Sequence, residues 1–451
     1  MRLNHIVIIG GGFSGTMQAI NLLRHDGPRA TLIERSARLA RGVAYSAAHP
    51  SHLLNVRAGN MSAYPDDARH FVNWLRARDR HADGGSFVSR QVYGEYLGEQ
   101  LQAAVAVAGD RLTIVKGDAV DLKADDTSVE VSLAGNRAVK ADAAVLALGN
   151  LPPRAPQGLD PTAFGADLYL NDPWSASIGE GLTDDDHVLM LGTGPTMVDA
   201  ALLLEAQGFR GRITAISRRG LQPRVHDEAA LGAPLVERPA TVVSKLLADV
   251  RAAARTLGWR AAVDQLRPHA HNLWLAANAD ERRRFLRHLR PWWDVHRHRL
   301  APEVDARIAA MHAHHQLAIA AGKTVSFTRS SGGVAVRWRP RGQDGEQTLQ
   351  ARRIINCTGP QCDVFATREP LLRRMLSTGL IRPDAGRLGL DVDVQGRLIG
   401  ADGRIGERLF ALGPMTRGTF WEITAVPDIR QQTWSLARRL ANAHWVSGEG
   451  L

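Results

Sequence analysis

Three glycines near the start of the chain have the spacing of a nucleotide-binding turn. Gly10, Gly12 and Gly15 fit the pattern G-x-G-x-x-G directly after an apolar run at residues 6–9. The first glycine permits a tight turn, the second lets a pyrophosphate approach the backbone, and the third lets helix and strand pack closely. The helix that follows offers free N–H groups and a positive dipole end to phosphate. A dinucleotide is therefore expected at Gly10, Gly12, Phe13, Ser14 and Gly15.

An acidic residue stands where the ribose of a dinucleotide would meet the second strand. That predicted strand, residues 30–33, ends at Glu34, about 20 residues beyond the glycines. A carboxylate at this position accepts hydrogen bonds from both ribose hydroxyls and repels a 2′-phosphate. We therefore predict a first cofactor site that includes Glu34 and the neighbouring Arg35. A glycine-rich turn without a ligand is the alternative interpretation.

The strand and the turn occur a second time. After the apolar run at residues 187–191, Gly192 and Gly194 occupy the first two glycine positions, and Met197 replaces the third. Helix and strand must therefore pack differently in this copy. The second turn is expected to bind a cofactor through Gly192, Gly194, Pro195 and Thr196.

The second copy ends in basic residues where the first copy has an acid. Its next strand, residues 213–216, runs into Ser217, Arg218 and Arg219. Arginine suits a 2′-phosphate because its planar guanidinium forms paired, charge-assisted hydrogen bonds. NADPH is therefore predicted over NADH, whereas two unrelated surface arginines are the alternative.

The two halves of the chain share one plan. In each half the glycine turn, helix and strand lead to a β-rich stretch with alternating apolar residues, expected to form a meander. These stretches include residues 112–115 and 129–133 in the first half, and 324–327 and 334–338 in the second. A buried strand then ends at Gly149 in the first half and at Gly359 in the second. Two nucleotide-binding units of one design predict an α/β fold and two dinucleotides.

Several longer segments resemble one family. These segments are GVAYS at 42–46, HLLNV at 52–56, SRRG at 217–220 with Pro223 and His226, FLRHLRPWWD at 285–294 with His296, NCTGP at 356–360, and WEI at 421–423 with Pro427 and Arg430. Through them the chain resembles the YdhS-like FAD/NAD(P)-binding proteins, within the flavoproteins that have two dinucleotide-binding domains. The resemblance implies FAD on the first unit and NAD(P)H on the second, with a helical insertion.

The resemblance also implies a division of the chain. Residues 1–165 form the first part of the FAD domain and residues 366–451 its closing part. Residues 166–240 and 323–365 form the NAD(P)H domain, and residues 241–322 form the helical insertion.

Further site residues follow from the resemblance. The loop of residues 45–65 would line the flavin, with Asn55 and Arg57 as contacts to flavin or substrate and Trp421 as a third catalytic candidate. The helix after Pro427 would point its N-terminus at the flavin and stabilise negative charge there. Proline stands at residue 414, where an acid is usual after the glycine of the closing strand. The remaining cofactor-binding candidates are Tyr45, Val120, Gly149, Gly359, Gly413, Pro414 and Ile423.

The implied activity is that of a monooxygenase. NADPH would reduce FAD, and a C4a-(hydro)peroxyflavin formed with O2 would hydroxylate a small polar substrate, such as urate or an amino group. The signature F-x-G-x-x-x-H of many such enzymes is not intact at residues 164–174. The alternatives are a reductase that passes electrons to a protein or quinone, and a regulatory protein that binds dinucleotides without turnover.

Other ligands are less favoured by the sequence. The segment of residues 241–317 is rich in Arg, His and Trp, but His296 and His298 do not share a helix face, so we predict no metal. The same segment lacks a known nucleic-acid-binding module, so no nucleic acid is expected. Cys357 and Cys362 have the spacing of redox pairs in disulfide reductases but follow a late strand, which favours a structural role.

Composition sets the outer limits. A chain of 451 residues is too long for one core, which excludes a single-domain protein. Two cysteines exclude a disulfide framework, and no apolar run approaches a membrane span. A cytoplasmic location is the expectation, and the oligomeric state stays open. The net charge of +10 fits anionic dinucleotides or an Arg-rich solvated surface.

Overall fold

A computed structural model of the chain describes residues 3–46, 49–227, 235 and 237–442. The strands are β1 (His5–Ile9), β2 (Arg29–Glu34), β3 (Leu112–Lys116), β4 (Ala119–Ala124), β5 (Val129–Leu133), β6 (Arg137–Ala141), β7 (Ala143–Leu146), β8 (Tyr169–Leu170), β9 (His187–Leu191), β10 (Arg212–Ser217), β11 (Leu317–Ser330), β12 (Gly333–Pro340), β13 (Gln347–Ala351), β14 (Arg353–Asn356), β15 (Arg397–Ile399) and β16 (Ile405–Ala411). The α-helices are α1 (Phe13–Arg24), α2 (Gly42–Ser46), α3 (His70–Arg76), α4 (Arg90–Ala108), α5 (Gly165–Leu168), α6 (Pro195–Ala206), α7 (Val243–Leu257), α8 (Trp259–Leu266), α9 (Ala270–Ala276), α10 (Ala279–Arg284), α11 (Arg290–Arg297), α12 (Pro302–Ala313), α13 (Pro370–Ser377) and α14 (Val426–Leu440).

The first nucleotide-binding unit is built on a six-stranded sheet in the order β15-β16-β7-β1-β2-β3. Strand β1 pairs in parallel with β2 on one side and β7 on the other. Its apolar run is needed because both faces of the sheet are covered, as in doubly wound folds. Helices α1, α3, α4 and α14 pack on one face. The other face lies under α13 and the small sheet β4-β5-β6.

The second unit repeats this plan on a seven-stranded sheet in the order β13-β12-β11-β10-β9-β14-β8. Strand β9 pairs in parallel with β10 and β14. Strand β11 is parallel to β10 up to Ala321 and then continues, antiparallel to β12, as part of the meander. The predicted α/β fold with two Rossmann-like units is confirmed.

The predicted pairing of one strand of the first unit was wrong. Residues 112–115 are a strand, but β3 pairs in parallel with β2 at the edge of the main sheet and does not join the meander. The meander of the first unit is β4-β5-β6, in which Val129 pairs with Ala124 and Ala141. Alternating apolar residues indicate a strand with one buried face. Because strands of the main sheet and of the meander can both show this pattern, it does not predict which sheet a strand joins.

The insertion is helical, and its last helix belongs to the second unit. Helices α7–α11 lie between β10 and α12, with a π-helical turn at Phe285–Leu289. Helix α12 buries Val304, Ile308 and Met311 in the core of the second unit, and β11 begins at Leu317. Helix α12 and the first residues of β11 lie within the range 241–322 that the resemblance assigns to the insertion. Within the described residues, no helix is long and apolar enough to cross a membrane.

Both nucleotide-binding turns depend on glycine for the same physical reason. Gly10 has φ +104° and Gly192 has φ +115°, a conformation that L side chains rarely adopt. A Cβ on Gly192 would lie 2.1 Å from the carbonyl oxygen of Cys357 in the neighbouring strand end. Gly194, two residues further, has φ −86° and no heavy atom within 4 Å of the position of a Cβ.

This contrast gives a matched pair of substitutions. Gly192→Ala combines backbone strain with a clash against backbone, so we expect it to lower the free energy of unfolding by about 2–4 kcal/mol. Gly194→Ala adds a methyl group to open space and should change that free energy by less than about 1 kcal/mol. Urea unfolding of both variants measures the difference, and equal stabilities would contradict this account of the turn.

Candidate functional site

The closing segment of the chain lies directly on the first glycine turn. Gly413 follows β16 with φ +72°, and a Cβ there would be 2.6 Å from the Oγ of Ser14. The Gly413 N–H donates to Gln432 of α14 at 2.7 Å, which ties this turn to the last helix. Helix α1 begins after Gly12 without a side-chain cap, so its first N–H groups stay available for phosphate. The structure therefore brings Ser14, Gly413 and the α1 N-terminus together.

Glu34 ends β2 beside the same turn. Its Oε2 accepts from the Gly11 N–H at 2.6 Å and its Oε1 from the Ser36 N–H at 2.7 Å. These bonds hold the carboxylate at the edge of the sheet, where a ribose would lie. Arg35 instead points to the closing part of the chain, where it donates to Glu369 at 2.8 Å and lies 3.8 Å from Asp118.

Four other predicted cofactor residues take different positions. Tyr45 packs edge-on against Tyr93 with ring centroids 4.9 Å apart. Val120 lies in the bulge of β4 between Ala119 and Asp121. Ile423 is buried in the core beneath the first sheet, and Pro414 opens the short turn Gly413–Thr416.

The second glycine turn is partly exposed at Gly192 and Gly194, and the hydroxyl group of the buried Thr193 holds it in place. Helix α6 begins after Gly194 with Pro195 in its first turn. The Oγ1 of Thr193 is 2.8 Å from the Oγ of Ser217 and donates to the Leu221 carbonyl. Gly359, like Gly149 in the first unit, has a positive φ and empty space at its Cβ position. The strand ends thus leave a cradle that fits a dinucleotide pyrophosphate.

A basic cavity of ≈ 540 Å³ adjoins the end of β10. Arg218 lines this cavity together with Lys323, Arg339 and Arg341. The register explains the grouping, because Ser217 pairs with Ala321 and Lys323 comes two residues later. The sequence does not predict Lys323, Arg339 and Arg341 as site residues, because strand pairing and not chain position brings them close to Arg218.

The neighbouring arginine has a different role. Arg219 does not line the cavity and donates to the Arg287 carbonyl in the insertion at 3.2 Å. Of the predicted pair, only Arg218 lines the basic cavity.

The junction of the two units contains Asn55 and Arg57. The Asn55 carbonyl accepts from the His226 ring at 3.0 Å. Burial lowers the pKa of His226 to about 4, so the ring is neutral near pH 7 and donates through Nε2–H. The Asn55 amide itself makes no hydrogen bond among the residues that the structure describes.

Arg57 bridges the units through main-chain groups. Its guanidinium donates to the Gly85 carbonyl at 2.7 Å and to the Asp227 carbonyl at 2.8 Å, and it lies over the Phe87 ring. These contacts place Arg57 as a positioning residue for the loop, whereas Asn55 keeps a free polar group.

A second set of contacts at this junction centres on Asp199 of α6. Its carboxylate accepts from Arg90 at 2.8 and 3.1 Å and from the Trp174 indole at 3.2 Å. Its carbonyl accepts from the buried His52 ring at 3.0 Å. Helix α4 and the loop of the first unit are thereby joined to α6 of the second.

Trp421 lies in the segment before α14 and is buried. Its ring stacks on Trp274 at 4.7 Å, meets Phe285 edge-on at 5.2 Å, and is covered by the Arg417 guanidinium at 4.4 Å. The structure therefore places this catalytic candidate against the insertion. None of these ring contacts involves Asn55.

The cysteines and histidines form no reactive cluster in the described part of the chain. Cys357 is buried in the core of the second unit, and burial raises the pKa of its thiol. Cys362 is partly buried and its Sγ contacts the Pro360 carbonyl. No group of three His, Cys, Asp or Glu side chains among the described residues could hold a metal ion.

Comparison with known proteins agrees with this architecture. Residues 7–151 match the sequence model of a family described as FAD-NAD(P)-binding. An uncharacterized protein of Mycobacterium tuberculosis is 24% identical over 429 residues, covering 83% of this chain and 76% of that protein. The fold is similar to an ornithine N-hydroxylase of Kutzneria sp. 744, with a TM-score of 0.67, 15% identity, and coverage of 98% and 100% of the two chains. It is also similar to L-lysine 6-monooxygenase of Pseudomonas syringae, with a TM-score of 0.68, 15% identity, and coverage of 97% and 99%.

The basic cavity gives a direct test of the second site. If Arg218 binds the 2′-phosphate, as the sequence predicts, Arg218→Ala removes a charge-assisted contact worth about 1.5–3 kcal/mol. We therefore expect 2′,5′-ADP to bind about 10–100-fold more weakly, with 5′-AMP affected little. Calorimetric titration measures the dissociation constants of both ligands. Arg219→Ala is the matched control, and an equal loss in that variant would contradict the assignment to Arg218.

Proposed function

We propose that the chain is an FAD-dependent NADPH monooxygenase that hydroxylates a small substrate with an amino group or a related polar nitrogen group. The observation that carries this proposal is the pair of dinucleotide cradles, fixed to one another across a junction where the Asn55 amide stays free. The similar folds named as ornithine N-hydroxylase and lysine monooxygenase support the class of reaction.

The residues present fit FAD on the first unit. Ser14 and Gly413 form a close-packed cradle, and Glu34 stands ready at the ribose position. Helix α14 begins at Val426 without a side-chain cap, and Arg430 in its second turn donates to the Ser62 carbonyl. Ser62 is thus held against the second turn of α14, near the N-terminus where a helix dipole stabilises negative charge. Bound flavin would supply the oxygen chemistry.

The remaining residues bind and orient. Arg218, with the lysine and arginines of its cavity, would hold the phosphorylated adenosine of NADPH. His226 bonds the Asn55 carbonyl, and Arg57, two residues further on, donates to the Asp227 carbonyl, so that the main chain at Asn55 is held to the second unit. Asn55 would then hydrogen-bond a polar atom of substrate or flavin.

Turnover separates this proposal from the reductase and the non-catalytic alternatives. Purified protein should be yellow, and NADPH should bleach it without oxygen. In air, a primary amine should couple NADPH oxidation to a hydroxylated product found by mass spectrometry. NADPH oxidation with an electron acceptor and no such product would favour the reductase, and a protein that cannot be reconstituted with FAD would exclude both enzymes.

Asn55→Ala tests the role of the free amide. We expect anaerobic flavin reduction by NADPH to stay within about twofold, because the variant leaves both dinucleotide cradles intact. Hydroxylated product per NADPH should fall about tenfold, the effect of one lost hydrogen bond of about 1.4 kcal/mol. Asn60→Ala, at an exposed position of the same loop, is the control. Unchanged coupling in Asn55→Ala would rule out the proposed contact.

A further inference from the structure

Three arginines meet where the helical insertion packs against the closing segment of the chain. Arg267 follows α8, Arg297 ends α11, and Arg417 follows the turn of residues 413–416. Arg297 donates to the Glu422 carboxylate at 2.9 Å, and the charge of Glu422 also acts on the other two guanidinium groups. We call these three residues the arginine cluster.

Most donors of the arginine cluster have no acceptor. The side chains of Arg297 and Arg417 are only 8% and 12% exposed, and Arg297 Nη2 and Arg417 Nε are buried without a hydrogen-bond partner. Within the described residues, neither Arg267 nor Arg417 donates a side-chain hydrogen bond. Buried donors without acceptors are costly, so another molecule is expected to supply the acceptors.

Other buried arginines of this chain have their donors filled. Arg299 donates to Asp264 with two nitrogens, and also to the carbonyls of His296 and Arg260. Arg353 donates to three carbonyls at 2.7–2.9 Å. The fold therefore provides acceptors for an arginine whose role is structural, and the arginine cluster differs from this pattern.

The acids near the arginine cluster do not fill its donors. Asp294 Oδ1 lies 4.0 Å from Arg417 Nη2, which is too far for a hydrogen bond. Asp428, in the first turn of α14, accepts no hydrogen bond from any residue that the structure describes. Each of these two acids has one buried oxygen without a partner. Burial lowers the pKa of His298 to about 4, so its ring is neutral near pH 7.

The balance of charges at this junction favours an anion. Apart from Asp264, which pairs with Arg299, the charged groups that act on one another are five arginines and three acids, namely Arg267, Arg290, Arg297, Arg417 and Arg430 with Asp294, Glu422 and Asp428. A carboxylate would supply negative charge and acceptors together, because its two oxygens match the planar fork of a guanidinium group.

The arginine cluster adjoins the elements that form the first dinucleotide cradle. The Arg417 N–H donates to the Pro414 carbonyl at 3.3 Å, within the turn Gly413–Thr416. The same turn packs on Ser14 and donates to Gln432 of α14. A ligand of the arginine cluster would therefore connect the insertion with the segment that closes the first unit.

We propose that the arginine cluster binds a small carboxylate between the insertion and the closing segment. The carboxylate oxygens accept from Arg417 and from the guanidinium groups of the insertion. The carboxylate belongs either to the substrate of the proposed function or to a separate small molecule, and the site itself does not depend on that function. The unpartnered oxygens of Asp294 and Asp428 would accept from a donor group beside the carboxylate.

Titration with acetate tests the site. The protein loaded with FAD is titrated at constant ionic strength, and tryptophan fluorescence reports binding because Arg417 lies 4.4 Å from the centre of the Trp421 ring. We expect Arg417→Met to raise the dissociation constant of acetate about 10–100-fold, the effect of one lost charge-assisted contact. Arg373→Met, at an exposed position of α13, is the control with the same change of net charge. Equal binding by wild type and Arg417→Met would overturn the proposal.

Urea unfolding separates a ligand contact from a structural role. Acetate, compared with chloride at the same ionic strength, should raise the unfolding midpoint of the wild type and of Arg373→Met, and leave that of Arg417→Met unchanged. This difference does not depend on the stability of each variant without acetate. If Arg417→Met fails to fold, Arg267→Met should show the same loss. An equal rise in all variants would refute the site.

A third ligand identifies the source of the carboxylate. 4-Aminobutyrate joins a carboxylate to a primary amine, so binding at least about tenfold tighter than that of acetate would assign the carboxylate to the substrate. Equal affinities would assign it to a separate small anion. These measurements need no turnover. Acetate binding without any hydroxylated amine would leave the site and refute the proposed function, whereas hydroxylation without acetate binding would refute the site alone.

Discussion

The carboxylate of Asp199 joins the two nucleotide-binding units, and the rest of the candidate site depends on that connection. Both oxygens accept from Arg90 of the first unit, with the side chains of Arg90 and Asp199 only 18% and 9% exposed. Trp174 donates to the same carboxylate, so the buried charge is well satisfied. Removing one partner of such a pair leaves an uncompensated charge in the interior, which is strongly destabilising. The pair therefore favours one fixed arrangement of the units.

The loop that carries Asn55 uses this fixed arrangement. His52 reaches the Asp199 carbonyl, and His226 of the second unit reaches the Asn55 carbonyl three residues further along. Leu53 and Phe87 also pack against the core of the second unit. The main chain between His52 and Asn55 is consequently held by contacts with the second unit.

Sequence patterns predicted the features that are local along the chain. The turns at Gly10 and Gly192 and the acid at Glu34 follow from spacing, because each motif is one strand, one turn and one helix. The partner of β3 and the cluster around Arg218 depend on strand order and register, which alternating apolar residues do not encode. Arg218 and Arg219 are adjacent in sequence, but only the first lines the basic cavity. The role of His226 was also beyond prediction, because its partner Asn55 is distant along the chain.

The second unit compensates for the glycine that it lacks. Met197 stands where the first unit has Gly15, whose Cβ would lie 1.8 Å from the Gly10 carbonyl. Met197 is instead fully buried in the core beside α12. The close contact of helix and turn is thus replaced by side-chain packing, which supports α6 from the other side.

The insertion is anchored to the closing segment by a buried ion pair. Arg297 of α11 pairs with Glu422 at 2.9 Å, both nearly buried, and Trp293 donates to the same carboxylate. Burial alone would raise the pKa of Glu422, but the nearby Arg297 and His298 outweigh it and lower that pKa, so the carboxylate stays charged. Glu422 directly follows Trp421, whose ring stacks on Trp274 of the insertion. Two adjacent residues of the closing segment therefore hold the insertion, one by ring stacking and the other by the ion pair.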